Sequence, residues 1–211
     1  MSYVQTEIKN AAVGVGVSDT PDGLAKIAMP GCAATIWRRQ LTSDFQTWID
    51  KLDPLKLPKA RLVLRPEAVK DKVRHLFEIA GMEDVTERAW LEEDISDLAA
   101  RFAEVMRAPY LRLRLDAITT NACRKFHVDA IYARLICTYR GTGTQYGISL
   151  DGEDPKRVFT VGTGSPMVMR GTLWPQNPPS GLLHRSPPIS GTGETRLVIV
   201  IDPIFDADEA Q

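Results

Sequence analysis

Pro109-Tyr110-Leu111-Arg112-Leu113-Arg114-Leu115-Asp116-Ala117 is where the chain changes period. Leu111, Leu113, Leu115 and Ala117 alternate with Arg112, Arg114 and Asp116, the two-residue repeat of a strand with one buried face. Upstream, Trp90, Leu91, Ile95, Leu98, Ala99, Phe102, Val105 and Met106 recur at helical spacing from Thr86 onward, and Pro109 closes that run. Two shorter helices precede it. One is capped by Thr42 or Ser43 and spans about 44–52; the other opens at Pro66-Glu67 and stops near Gly81. Downstream, ten of the 15 Gly and eight of the 14 Pro follow Arg140, and helix interiors tolerate neither. Short strands are therefore expected over 126–138, 144–150, 157–162, 166–173 and 195–202, with Ala33–Trp37 as an early one.

Helices first and many short strands afterwards give an α+β chain. The expected architecture is a double-stranded β-helix (jelly-roll or cupin-like) core over 110–205, with the N-terminal helices of 40–107 packed on one face. The 211 residues then form one domain over 24–205, at roughly 150 residues per domain. Residues 1–23, with the Val-Gly alternation Val13 to Val17, are expected to be a loosely held arm, and 206–211 a tail.

Composition excludes several classes of function. Lys plus Arg is 26 against 27 Asp plus Glu, a net charge of -1, so no nucleic-acid-binding surface dominates. No apolar run approaches the roughly 20 residues of a membrane span. Met1–Glu7 lacks the basic and apolar regions of a signal peptide, so none is expected. Cys32, Cys123 and Cys137 make neither a disulfide framework nor a Cys-rich zinc site, so a reducing, cytoplasmic location is expected. Apolar edge strands in the last third offer a route to a homodimer.

Chemistry concentrates on two of the three His. In Phe126-His127-Val128-Asp129, an extended backbone puts His127 and Asp129 on one face. His184 enters from another strand, in Gly181-Leu182-Leu183-His184-Arg185-Ser186-Pro187-Pro188, after a proline-stiffened loop. Two His and one carboxylate form the facial triad of non-haem Fe(II) oxygenases. Arg196 opens the apolar run Leu197–Ile201, where its planar fork suits the carboxylate of a 2-oxoglutarate cosubstrate. Arg134 is a second cosubstrate candidate, on the opposite parity from His127 unless a bulge turns it round. Tyr139, Gln145, Ser186 and Trp174 are candidate pocket residues, and Cys123 a candidate extra ligand if the metal is zinc. His75 sits among charged neighbours in the second helix and reads as a surface residue. A lone HxD is common by chance, and a purely structural His-Asp pair is the competing explanation.

At these residues the sequence resembles a bacterial family catalogued as domain of unknown function 1826. The resemblance rests on Phe126–Asp129, Arg134–Tyr139, Gly141–Thr144, Gly181–Pro188 and Thr195–Val198, with Pro30–Ala33 and Ile36–Arg39 fitting it too. The order HxD, His, Arg also resembles the Fe(II)/2-oxoglutarate oxygenases. That second resemblance implies His127, Asp129 and His184 as metal ligands and Arg196 as the 2-oxoglutarate anchor. The expected function is a hydroxylase-type oxygenase acting on a small molecule or an amino-acid side chain. The alternative is a cupin-like zinc protein, either a metal-dependent hydrolase or lyase or a zinc-homeostasis accessory protein without catalysis.

Overall fold

The computed structural model describes residues 11–206. The outer ten residues of the expected arm, and the expected tail beyond 206, lie outside them. In chain order the strands are β1 (Gly14–Ser18), β2 (Cys32–Trp37), β3 (Ala60–Leu64), β4 (Tyr110–Ile118), β5 (Ala133–Arg140), β6 (Gln145–Ile148), β7 (Phe159–Thr160), β8 (Met167–Arg170), β9 (Leu182–Arg185) and β10 (Arg196–Ile204). The helices are α1 (Ser43–Lys51), α2 (Val69–Ile79) and α3 (Thr86–Met106). No helix among the described residues is long and apolar enough to cross a membrane.

The helices start where their caps dictate. The Thr42 hydroxyl accepts the Phe45 N–H at the head of α1. Pro66 opens a single 3-10 turn, Pro66–Ala68, before α2 begins.

A mixed fold with a sheet-rich core results. Seven strands form one sheet in the order β1-β2-β8-β5-β10-β4-β3; three form a smaller one, β7-β6-β9. Every pairing is antiparallel except that of β1 with β2. In β4, Leu111, Leu113 and Leu115 are buried as the alternation requires. They join Leu197, Ile199 and Ile201 of β10, Leu135 and Cys137 of β5, and Phe45, Phe77, Leu91, Ile95 and Phe102 of the helices in one core cluster. Each such side chain contributes roughly 1.5–3 kcal/mol by leaving water. A second cluster holds Ile36, Val161, Met167, Met169 and Leu182, with Ile136, Tyr146 and Ile148 packed against it. It gathers side chains from both sheets.

Residues 14–18, expected in a loose arm, pair in parallel with Cys32–Trp37 as an edge strand, with a register shift between Gly14 and Val15. The glycines that weaken a strand in isolation are what admit this one. The Gly14 N–H donates to the Gly31 carbonyl at 2.9 Å, and a Cβ at Gly14 would sit 2.9 Å from that same oxygen.

The expected strand over 126–138 is also different. Regular pairing begins only at Ala133, and His127 makes an isolated bridge to His184. Between them the chain bends. Thr172 N–H donates to the Asp129 carbonyl, Leu173 N–H to Ile131 and Gly171 N–H to Tyr132, clamping the bend against the end of β8. A side chain at Gly171 would collide with the Ile131 carbonyl, so only glycine allows that approach.

Candidate metal centre

β5 has two polar faces, and they have different partners. Toward the helices, Tyr139 is fully buried and donates to Asp94 Oδ2 at 2.6 Å. Arg39 binds the same carboxylate through two nitrogens, at 2.5 and 2.6 Å. Burial, and next the Asp94 charge, push the Tyr139 phenol well above its usual pKa; burial pushes the Cys137 thiol up to about 12. Tyr139 was a candidate pocket residue. It belongs to this network on the helix side of β5 instead, because it shares the parity of Leu135 and Cys137.

Toward the smaller sheet, β5 presents Arg134. Its Nη1 donates to Asp129 Oδ2 at 2.7 Å, while Nε and Nη2 hold both oxygens of Asp202 on β10 at 2.7 and 2.8 Å. Strand parity alone turns Arg134 away from His127. The bend at 129–132 brings it round to Asp129. Burial works to lower the Arg134 pKa, but Asp202 and then Asp129 outweigh it and raise it.

His184, on β9, is buried. Its N–H donates to the His127 carbonyl at 3.0 Å, and the His127 N–H returns the bond at 3.1 Å. This reciprocal main-chain pairing sets the two imidazole centroids 4.5 Å apart. Asp129 lies against both rings, with Oδ2 3.1 Å from His184 Nε2 and Oδ1 3.4 Å from His127 Nε2. One ligand atom from each of His127, Asp129 and His184 lies within 4.8 Å of the others, spacing that a single metal ion can bridge. His127 Nδ1 lies 2.8 Å from the Lys125 carbonyl. That oxygen only accepts, so Nδ1 carries a proton, and in the neutral ring the Nε2 lone pair is the one available to a metal. Burial pushes the Asp129 carboxyl up. The His184 hydrogen bond and the charges of His184, Arg134 and His127 outweigh it and hold the pKa at about 2, so the donor is ionised at neutral pH.

The other candidates do not all reach this cluster. Arg196 is 1 % exposed, yet its hydrogen bonds go to uncharged oxygens: Nε to the Thr142 carbonyl at 2.6 Å and Nη2 to Thr138 Oγ1 at 3.4 Å. Burial lowers its pKa to about 10 against a raising effect of Glu194. Ser186 lines the cavity of about 70 Å³ that also touches His127 and His184. Gln145 instead accepts from Arg185 Nε at 2.8 Å. Trp174 is not at that cavity. It packs against Tyr132, with the Arg170 guanidinium 4.5 Å from its ring, and both Trp174 Nε1 and Arg170 Nη1 are buried without a hydrogen-bond partner. Cys123 Sγ lies 3.8 Å from His127 Nδ1, the nitrogen already committed to Lys125, and is outside the three-ligand group.

Three functional candidates escape the sequence reading. Asp202 interrupts the apolar run of β10, which is the only signal for it. Thr144 Oγ1 is buried, partnerless and on the cavity wall, and a threonine after a glycine turn gives no such hint. Arg114 belongs to the polar half of the β4 alternation, but its side chain lines the cavity.

Comparison with solved structures finds the dioxygenase for auxin oxidation 1 of Arabidopsis thaliana, in a 2-oxoglutarate complex. It is 14% identical with a TM-score of 0.41, over 72% of this chain and 64% of that one. The rice dioxygenase for auxin oxidation is also 14% identical at 0.41, over 80% and 66%. The chain thus spans just under two thirds of either auxin dioxygenase. A Pseudomonas putida prolyl-4-hydroxylase is 10% identical at a TM-score of 0.45, over 88% and 98%. No curated protein matches. The family model described as protein of unknown function (DUF1826) matches residues 18–202, and the chain belongs to that family.

Proposed function

We propose that the protein is a non-haem Fe(II) oxygenase that uses 2-oxoglutarate, a hydroxylase acting on a small molecule or an amino-acid side chain. The observation that carries this reading is the convergence of His127, Asp129 and His184 on one point, beside a cavity that His127 and His184 line. The strand order supports it. β8, β5, β10 and β4 lie consecutively in one sheet, while His127, β9, β6 and β7 line up in the other. We read that arrangement as the jelly-roll of a double-stranded β-helix.

The donor set fits a hard-to-borderline first-row metal. It has two imidazoles and one ionised carboxylate, and one imidazole has its outer N–H fixed by a carbonyl. Fe(II) with 2-oxoglutarate supplies, when bound, oxygen activation coupled to decarboxylation of the oxoacid, and so the power to hydroxylate a C–H bond. The chain's own part is placement. Arg134 and Asp202 hold Asp129 in orientation, and the main-chain bridge holds the two imidazoles. Arg196 and the partnerless Thr144 hydroxyl are the groups suited to the far carboxylate of 2-oxoglutarate. Zinc is accepted by the same three donors.

An anaerobic titration with Fe(II) and then 2-oxoglutarate, followed by visible absorption, decides between the two metals. A weak charge-transfer band that needs both additions is the expected result. Iron that gives no band and is displaced by zinc sinks the oxygenase reading and puts the zinc protein first. Folded His127→Ala or His184→Ala protein that still holds stoichiometric metal removes the site assignment altogether.

A further inference from the structure

The cavity at the three candidate ligands does not end with them. A second cavity of about 190 Å³ adjoins it, and the two share Arg114, Cys123, Ile136 and Ser186. The second is floored by Ile118, Ile136, Val198 and Val200, with Asp116 and Arg114 on its wall. Its volume is on the order of six water molecules in the liquid, which suits a small ligand rather than a peptide segment or a nucleotide.

Arg114 stands at the junction. Register explains why: Arg114 pairs with Val200, Val200 pairs with Ile136, and all three side chains project from the same face of the large sheet. The Arg114 Nε atom is buried and makes no hydrogen bond. Asp116 Oδ2 lies 3.0 Å from it, but the angle is not that of a hydrogen bond. Both side chains of that ion pair are about a third or more exposed, so the contact is weak. The nearby acids are otherwise engaged: Asp202 and Asp129 are held by Arg134. A guanidinium with an unused donor at the mouth of an apolar hollow selects a ligand with one anionic end and an apolar body.

We infer that Arg114 seats the carboxylate of the substrate, and that this substrate is a small monocarboxylic acid whose apolar part lies on Ile118, Ile136, Val198 and Val200. The inference rests on the oxygenase reading for the word substrate, while the acid-binding seat stands on the cavity alone. It assigns different anions to different arginines: Arg196 with Thr144 for the cosubstrate, and Arg114 for the molecule to be oxidised.

Pentanoate is the probe, with pentanol as its uncharged counterpart, each titrated calorimetrically into the full-length chain. Saturable binding of pentanoate but not pentanol is expected. Arg114→Met weakens it on the order of tenfold or more, Arg114→Lys weakens it less, and Arg196→Met leaves it within about twofold. Absence of saturable pentanoate binding to the wild-type chain overturns the inference, as does equal binding by wild type and a folded Arg114→Met. Loss of pentanoate through Arg196→Met alone overturns it as well, since the acid then sits in the cosubstrate position. The Fe(II)–2-oxoglutarate band supplies the separate check. It is expected to persist in Arg114→Met; its loss there, with the wild-type band present and the melting temperature unchanged, assigns Arg114 to the cosubstrate and overturns the inference. Absence of the band in the wild-type protein refutes the oxygenase reading, and the calorimetry still judges the acid seat.

Discussion

Strand β5 separates two buried polar regions that handle charge in opposite ways. On the helix side, Arg39, Asp94 and Tyr139 satisfy one another, with bidentate geometry and a phenol donor on the same carboxylate. On the cavity side, Arg134 is saturated by two carboxylates, while Arg196 meets only neutral oxygens and Thr144 Oγ1 meets none. A closed network tethers α3 and the segment after β2 to the sheet. An open one leaves hydrogen-bonding capacity for something the chain does not itself contain. The difference teaches where to look for function: polar groups in a fold settle into pairs unless a ligand is meant to complete them.

Four substitutions or reactions test the contrast, beginning with the strongest. Arg134→Met strips the partner from the buried Asp202 and the part-buried Asp129 and should cost about 3–5 kcal/mol of stability in urea denaturation. It should also weaken metal binding about 10–100-fold, because Asp129 loses the group that orients it. Retention of wild-type metal affinity would detach Arg134 from the site. Asp94→Ala on the other face should cost a similar or slightly smaller amount, again about 3–5 kcal/mol, since Arg39 is left buried and unpaired. Here metal affinity should not move; if it does, the two regions are coupled through β5.

Arg196→Met should behave in the opposite sense. A buried cation without a carboxylate partner costs desolvation, so its removal is expected to leave stability unchanged or raise it by about 1–2 kcal/mol. Affinity for 2-oxoglutarate should fall at the same time. A large loss of stability would show Arg196 to be a structural strut. The smallest effect is at the thiols. Cys123 is exposed, whereas Cys32 and Cys137 are buried and the Cys137 thiol is held up at about 12. Native protein at neutral pH should therefore take up alkylating agent at Cys123 alone. Adding zinc should leave that rate nearly unchanged; strong protection would make Cys123 a ligand.

Much of this was legible from residue order. The switch from helical to two-residue spacing at Pro109 locates the boundary between α3 and β4, and the glycine and proline excess after Arg140 marks the strand-rich part. The three candidate ligands can be named from the HxD and the later His. The failures share a cause, which is that parity arguments assume an unbroken strand and an outside that is water. Arg134 reaches Asp129 because residues 129–132 bend, held by backbone contacts with residues 171–173 that no local pattern announces. Tyr139, a candidate pocket residue, goes to the helices because it shares the parity of Leu135 and Cys137. Arg114 looks like one tooth of a solvated comb, and only the distant residues Cys123, His184 and Ser186 beside it make it a cavity wall. The arm glycines read as flexibility until Gly31 is seen beside Gly14.

The main-chain bridge between His127 and His184 also fixes the moment at which the protein becomes competent. A nascent chain that has emerged as far as β8 holds His127 and Asp129 but lacks the strand that completes the cluster. The carboxylate clamp is later still, because Arg134 waits for a partner 68 positions further along. Such distant pairings form slowly during folding. Under the proposed metal-dependent function, loading then requires a chain that has reached β9 for the third ligand and β10 for the clamp, and a polypeptide cut short of His184 lacks one of the three donors.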